Sequence, residues 1–209
     1  MKLHLPMTLL AALLACLSST HSATAAELTW AGTTSNNIWT LNGSPADSPW
    51  VDQAVYTDAD TVIFGTVEGQ DLLDVIISGT VTPAGLTFNS DVTSYVLKGD
   101  GILAGSGTLN KSGISTLRLE TLNPGFSGNI NLNGGVLELG ADGVLGTGKI
   151  TWGGGTVKYG EGVTTDITNN MNGAANGKDV IRVDTNGNNV VWAATSRNHF
   201  AYVKTVKAR

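Results

Sequence analysis

The chain has 209 residues, among them 27 Gly, 26 Thr, 17 Asn and 1 Cys, with 14% charged residues and a formal net charge of −5. Gly is far above its usual ~7%, charge is far below its usual ~25%, and Gly, Thr and Asn are all poor helix formers, so a helical protein is excluded. Frequent Val, Ile and Leu exclude disorder, and a single Cys excludes a disulfide framework. What remains is a Gly-rich, all-β chain with many turns, long enough to bury one sizeable core.

Residues 1–26 read as a secretory signal peptide: Lys2 is basic, Leu5 to Leu17 is mostly apolar, and small residues run from Ser18 to Ala26. The apolar run is too short to span a membrane. Ala23-x-Ala25 places cleavage after Ala25, and Thr24-x-Ala26 places it one residue later. Leu13-Leu14-Ala15-Cys16 resembles a lipobox, which makes lipid anchoring at Cys16 the alternative route. Either way the expected location is the cell surface or the extracellular space. Cleavage removes His4, His21 and Cys16 and leaves His199 as the only His of the mature chain. Ser-His-Asp and Cys-His nucleophilic sites and His/Cys metal clusters are thereby excluded unless His199 serves, and a lone His near a ragged end reads as a surface residue.

Residues 27–70 read as an N-terminal cap and the first coils. From Glu27 to Leu97 there are nine acids and no Lys or Arg, whereas from Lys98 onward there are eleven bases and eight acids. An acidic front half speaks against nucleic acid or anionic lipid as partner. Asp58-x-Asp60 and Asp71 with Asp74 are candidate Ca²⁺ ligands, because that ion takes six to eight oxygens. The same acids would suit a polysaccharide lyase or hydrolase. The preferred reading is two turns, Thr57 to Asp60 and Gly69 to Asp71, carrying solvated acids. Trp30, Trp39 and Trp50 are candidate platforms for stacking on sugar rings, but an apolar plug over the first coil is the favoured role.

Residues 71–195 carry an internal ladder. Positions spaced by twenty are β-branched at Ile76, Val96, Thr116, Val136 and Thr156, and aliphatic at Ile77, Leu97, Leu117, Leu137 and Val157. Gly128, Ile130, Gly134, Gly135 and Gly140 recur at Gly148, Ile150, Gly154, Gly155 and Gly160. Period-two alternation in Leu117-x-Leu119, Ile130-x-Leu132, Leu137-x-Leu139 and Val157-x-Tyr159 marks half-buried strands. Short strands, Gly/Asn turns and a fixed period predict a β-solenoid with coils of about 20 residues, in which like residues stack into columns. Gly153-Gly154-Gly155 lacks the helix and Lys-Ser/Thr of a phosphate loop, and Asn186-Gly187 accounts for Asp184-x-Asn186-x-Asn188 as a turn.

The segment Gly107-Thr-Leu-Asn-Lys111-Ser-Gly113-Ile-Ser-Thr116-Leu117-Arg-Leu119, followed by Asn123-Pro-Gly-Phe126-Ser-Gly128 and Gly134-Gly-Val-Leu137-Glu-Leu139-Gly140, resembles an autotransporter-associated β-strand repeat, also called the passenger-associated transport repeat. Ser115 stands where that family has Gly, and Phe126 where it has Tyr. The resemblance implies a right-handed parallel β-helix in an exported surface protein, in which the repeat aids passenger secretion and folding. One clear repeat is present, at about 107–140. No C-terminal translocator barrel is read in the chain, and the tail 196–209 reads as irregular. A truncated or fragmentary member is therefore expected, with an independent small secreted protein as the alternative.

The function expected from these residues is non-catalytic: a structural or adhesin-like passenger segment facing extracellular glycan or protein surfaces, served by the secretion machinery during export. No catalytic residue, cofactor or metal is expected. The alternative is a glycan-binding or polysaccharide-degrading β-helix, resting on the acidic front half and the Trp trio.

Overall fold

The structure is a computed structural model that describes residues 25–174, 180–192 and 203–206. Residues 1–24, on which most of the expected signal peptide and Cys16 fall, and His199 lie outside the described residues. The described chain enters through β1 (Glu27–Thr29) and β2 (Ile38–Thr40), two short 3-10 turns at Pro45–Asp47 and Val51–Gln53, and β3 (Thr61–Phe64). There follow β4 (Leu72–Ser78), β5 (Thr80–Val81), β6 (Gly85–Phe88), β7 (Ser94–Lys98), β8 (Ile102–Leu103) and β9 (Thr108–Lys111). The repeat region supplies β10 (Thr116–Leu119), β11 (Ile130–Leu132), β12 (Val136–Leu139), β13 (Ile150–Trp152) and β14 (Thr156–Tyr159). β15 (Met171–Ala174), β16 (Ile181–Asp184) and β17 (Val203–Val206) end it.

The strands assemble into a seven-stranded sheet, β1-β3-β6-β9-β11-β13-β15, and an eight-stranded sheet, β17-β16-β14-β12-β10-β7-β4-β2. β5 and β8 form a small third ladder. Pairing within the two large sheets is parallel throughout, and each strand pairs with its counterpart one coil away, not with its chain neighbour. That arrangement is a β-solenoid of about five turns with coils about 22 residues apart.

The twenty-residue spacing holds where the repeat is clearest: Leu117 pairs with Leu137, and Leu137 with Val157. Upstream it lengthens. Leu117 pairs with Tyr95, not Leu97, and Tyr95 pairs with Leu73. The preceding coil accommodates two more residues because its chain detours through β8 before reaching β9. An offset of two residues preserves the face on which each side chain lies. Ile77, Leu97 and Leu117 therefore all point inward although they do not form one column, and Ile77 pairs with Trp39.

Inside, the columns are continuous. Leu28, Val62, Leu86, Leu109, Ile130 and Ile150 stack along the seven-stranded sheet. Val75, Leu97, Leu119, Leu139 and Tyr159 stack along the eight-stranded one. Gly107, Gly128 and Gly148 form a column of another kind: a Cβ on Gly128 would collide with the carbonyl oxygen of Gly107, and one on Gly148 with that of Gly128. Backbone lies on backbone there, and no side chain fits.

The tail 196–209, which the sequence marks as irregular, contains a strand: β17 pairs in parallel with β16, Ile181 opposite Val203. β16 thus lies between β14 and β17, and β17 adds to it through backbone hydrogen bonds, which a strand edge offers whatever the side-chain pattern.

Candidate functional site

Three of the four candidate acids are engaged by protein partners. Asp60 is buried, 2% exposed. One carboxylate oxygen accepts the Ala26 backbone N–H at 2.7 Å; the other accepts the Thr57 N–H at 2.8 Å and the Thr57 hydroxyl at 3.0 Å. A carboxylate whose oxygens are occupied by protein donors has little left to offer a cation. Asp58 accepts the Thr82 N–H at 2.9 Å and the Tyr56 hydroxyl at 3.3 Å, tying the first long turn to the coil after it. Asp74 pairs with Lys98 at 2.5 Å on the outer face, and Asp71 is exposed at the mouth of β4. Among the described residues, no three His, Cys, Asp or Glu side chains lie close enough to hold a metal ion. The structure thus does not bring Asp58, Asp60, Asp71 and Asp74 together into one site.

Trp30, Trp39 and Trp50 are interior, at 2%, 0% and 4% exposed. Trp30 and Trp39 each meet Trp50 edge-on, with ring centroids 5.1 and 5.7 Å apart. Phe64 contacts all three and stacks flat on Phe88 at 4.4 Å, which carries the aromatic cluster into the second coil. Stacking on a sugar needs an exposed ring face, and none of the three offers one. The indole N–H groups of Trp30 and Trp39 are buried without a hydrogen-bond partner. Tyr56 closes the cluster over Trp39, and its phenol is held well above its usual range by burial and the neighbouring Asp58 carboxylate. Beside this plug lies an open cavity of about 470 Å³, lined in part by Asn36, Ile38, Ser44, Asp47, Trp50 and Tyr56. Several of its polar groups are engaged within the protein, Asn36 donating to the Ser48 carbonyl at 2.9 Å and the Ser48 hydroxyl to the Ala54 carbonyl.

Two interior polar residues escaped the reading of the sequence as sites. Lys111 follows Leu109 at period two on β9, so its stem points inward between Phe88 and Leu132 and it is fully buried. Its ammonium donates to the Ser112 carbonyl at 2.6 Å and the Gly113 carbonyl at 3.4 Å. Desolvation lowers its pKa to about 8, against an opposing pull from Asp91. Asn123 is buried on the long corner between β10 and β11, accepting the Leu103 N–H at 3.0 Å and donating to the Val144 carbonyl at 2.8 Å. It stitches three successive coils together. The alternation of Thr108-Leu109-Asn110-Lys111 signals the first; the second heads the Asn123-Pro-Gly-Phe126-Ser-Gly128 segment of the repeat, which marks its position but not its burial.

The outer face of the eight-stranded sheet carries a row of charge. Arg118 contacts Glu120 at 2.6 Å and also Glu138, and Glu138 accepts from Lys158 at 3.2 Å. The pairing register places these side chains in adjacent coils, and such partly exposed pairs each contribute at most about 1 kcal/mol. No family model, curated protein or solved structure matches the chain.

Proposed function

We propose that this protein is an exported, non-catalytic β-solenoid segment with a structural or adhesin-like passenger role, of the kind the autotransporter-associated repeat implies. The observation that carries this reading is the commitment of its chemistry-bearing residues to the solenoid: the buried Trp trio to the plug, Asp58 and Asp60 to turn hydrogen bonds, Lys111 and Asn123 to corners. The repeat motif at about 107–140 supports it further, since the segment falls on β9 to β12 and their connecting corners. Binding, in this reading, uses the outer faces and corners, which any extended solenoid presents to glycan or protein surfaces.

The test is to express the full chain in an exporting bacterium, fractionate the cells, and probe the recovered protein on polysaccharides and a glycan array. Recovery outside the cytoplasm, without turnover, is the expected outcome. Polysaccharide cleavage lost in Asp58→Asn and Asp60→Asn would replace this reading with that of an enzyme. Retention in the cytoplasm would remove the exported role.

A further inference from the structure

Asp60 is a buried carboxylate with no cationic partner among the described residues. The sequence from Glu27 to Leu97 contains no Lys or Arg to supply one. A desolvated negative charge held only by neutral donors is costly, because the interior screens it poorly. The nearest backbone nitrogen to Asp60 from outside its own turn is that of Ala26, at 2.7 Å. Ala26 is also held by its carbonyl, which accepts the Thr61 N–H at 2.8 Å. Ala25 and Ala26 are both exposed and precede β1, but it is Ala26 whose N–H and carbonyl are both hydrogen-bonded to the Asp60–Thr61 segment.

We propose that hydrolysis of the Ala25–Ala26 peptide bond during export releases an α-ammonium at Ala26 that forms an ion pair with the buried Asp60 carboxylate, so that processing completes the first coil. This rests on the reading of the chain as an exported protein. The reaction consumes one water and is performed by an export-associated endopeptidase. The C–N bond breaks, Ala25 leaves as the carboxylate of the released segment, and the Ala26 nitrogen takes up a proton to become –NH₃⁺. Cleavage one residue later would discard both the N–H that reaches Asp60 and the carbonyl that receives Thr61. Asp60 would then be left with Thr57 alone. Of the two small-residue cleavage registers, only the earlier keeps Ala26, whose N–H and carbonyl both serve the first coil.

The full chain is produced in an exporting bacterium, and the intact mass of the exported product is measured. A chain beginning at Ala26 is expected. A chain beginning at Glu27, or a lipidated one beginning at Cys16, overturns the proposal and leaves export standing; an uncleaved chain retained in the cytoplasm overturns both. Urea unfolding then compares the processed chain with the full-length precursor recovered from cells whose processing peptidase is inhibited, each with Asp60 and with Asp60→Asn. Processing is expected to lower the unfolding constant about tenfold with Asp60 and by less than about twofold with Asp60→Asn. An equal gain in both backgrounds overturns the ion pair. A further readout needs no variant: in the folded processed chain the α-amine should react with an acylating reagent at neutral pH at least about tenfold more slowly than in urea. Equal rates would overturn the proposal even if Asp60→Asn failed to fold.

Discussion

Lys111 shows how one residue can be both a filler of the core and a corner fastener. Its four-carbon stem takes a place between Phe88 and Leu132 that an apolar residue would otherwise hold, while its ammonium sits under the corner carbonyls of Ser112 and Gly113. Burial lowers its pKa from 10.5 to about 8, so between these values the folded chain binds fewer protons than the unfolded one. Stability must then rise with pH across that window, because raising pH removes a proton that only the unfolded state retains. The buried phenols of Tyr56 and Tyr95, whose pKa values are raised, work in the opposite direction above pH 10. Urea unfolding between pH 8 and 10 is therefore expected to show a gain on the order of 1–2 kcal/mol that Lys111→Met abolishes. A flat profile in the unmodified chain would mean that the ammonium is not desolvated. Asn123→Ala should cost about 1–3 kcal/mol for each group it orphans, the Leu103 N–H and the Val144 carbonyl, measured in the same unfolding assay.

At the scale of the coil, strands carry the columns and corners set their spacing. The strands from β9 to β14 alternate inward and outward residues as their sequence does, and inward residues meet inward residues of the next coil, Leu117 on Leu137 and Ile130 on Ile150, with Lys111 between Phe88 and Leu132 as the polar exception. Alternation is a local property and survives any even change in coil length. The coil length itself is not local, since it depends on how far the chain detours between sheets; this is why the period of twenty, correct for Leu117, Leu137 and Val157, fails between Tyr95 and Leu117. At the corners the limit is contact between backbones. Gly128→Ala is expected to lower stability by about 1–3 kcal/mol or more, because its Cβ would strike the Gly107 carbonyl. Gly85→Ala, where the nearest atom to a new Cβ is 3.6 Å away, should be close to neutral under the same urea titration. Equal losses at the two positions would show that chain stiffness, not close approach, accounts for the Gly content.

For the whole molecule, the open end of the first coil is the decisive feature. A solenoid exposes its core wherever stacking stops, and here Trp30, Trp39 and Trp50, with Tyr56, close that end over Phe64. Trp39→Ala is expected to cost about 3–5 kcal/mol and to weaken the near-ultraviolet circular dichroism of the aromatic cluster. Unchanged stability with altered glycan retention would instead make Trp39 a binding residue.

Composition, alternation and the recurring Gly and Leu positions already specified an all-β solenoid, because strand faces and corner glycines are local consequences of residue type. The same chain could not show which acids meet a cation, which Trp rings reach solvent, or that Lys111 and Asn123 are buried. Those facts depend on which coil lies above which, a matter of register between segments twenty to thirty-eight residues apart. Three-dimensional stacking alone turned Asp60 from a candidate metal ligand into the buried acceptor of Ala26. A carboxylate's role follows from the donors that surround it, and those donors come from segments of the chain that no local window contains.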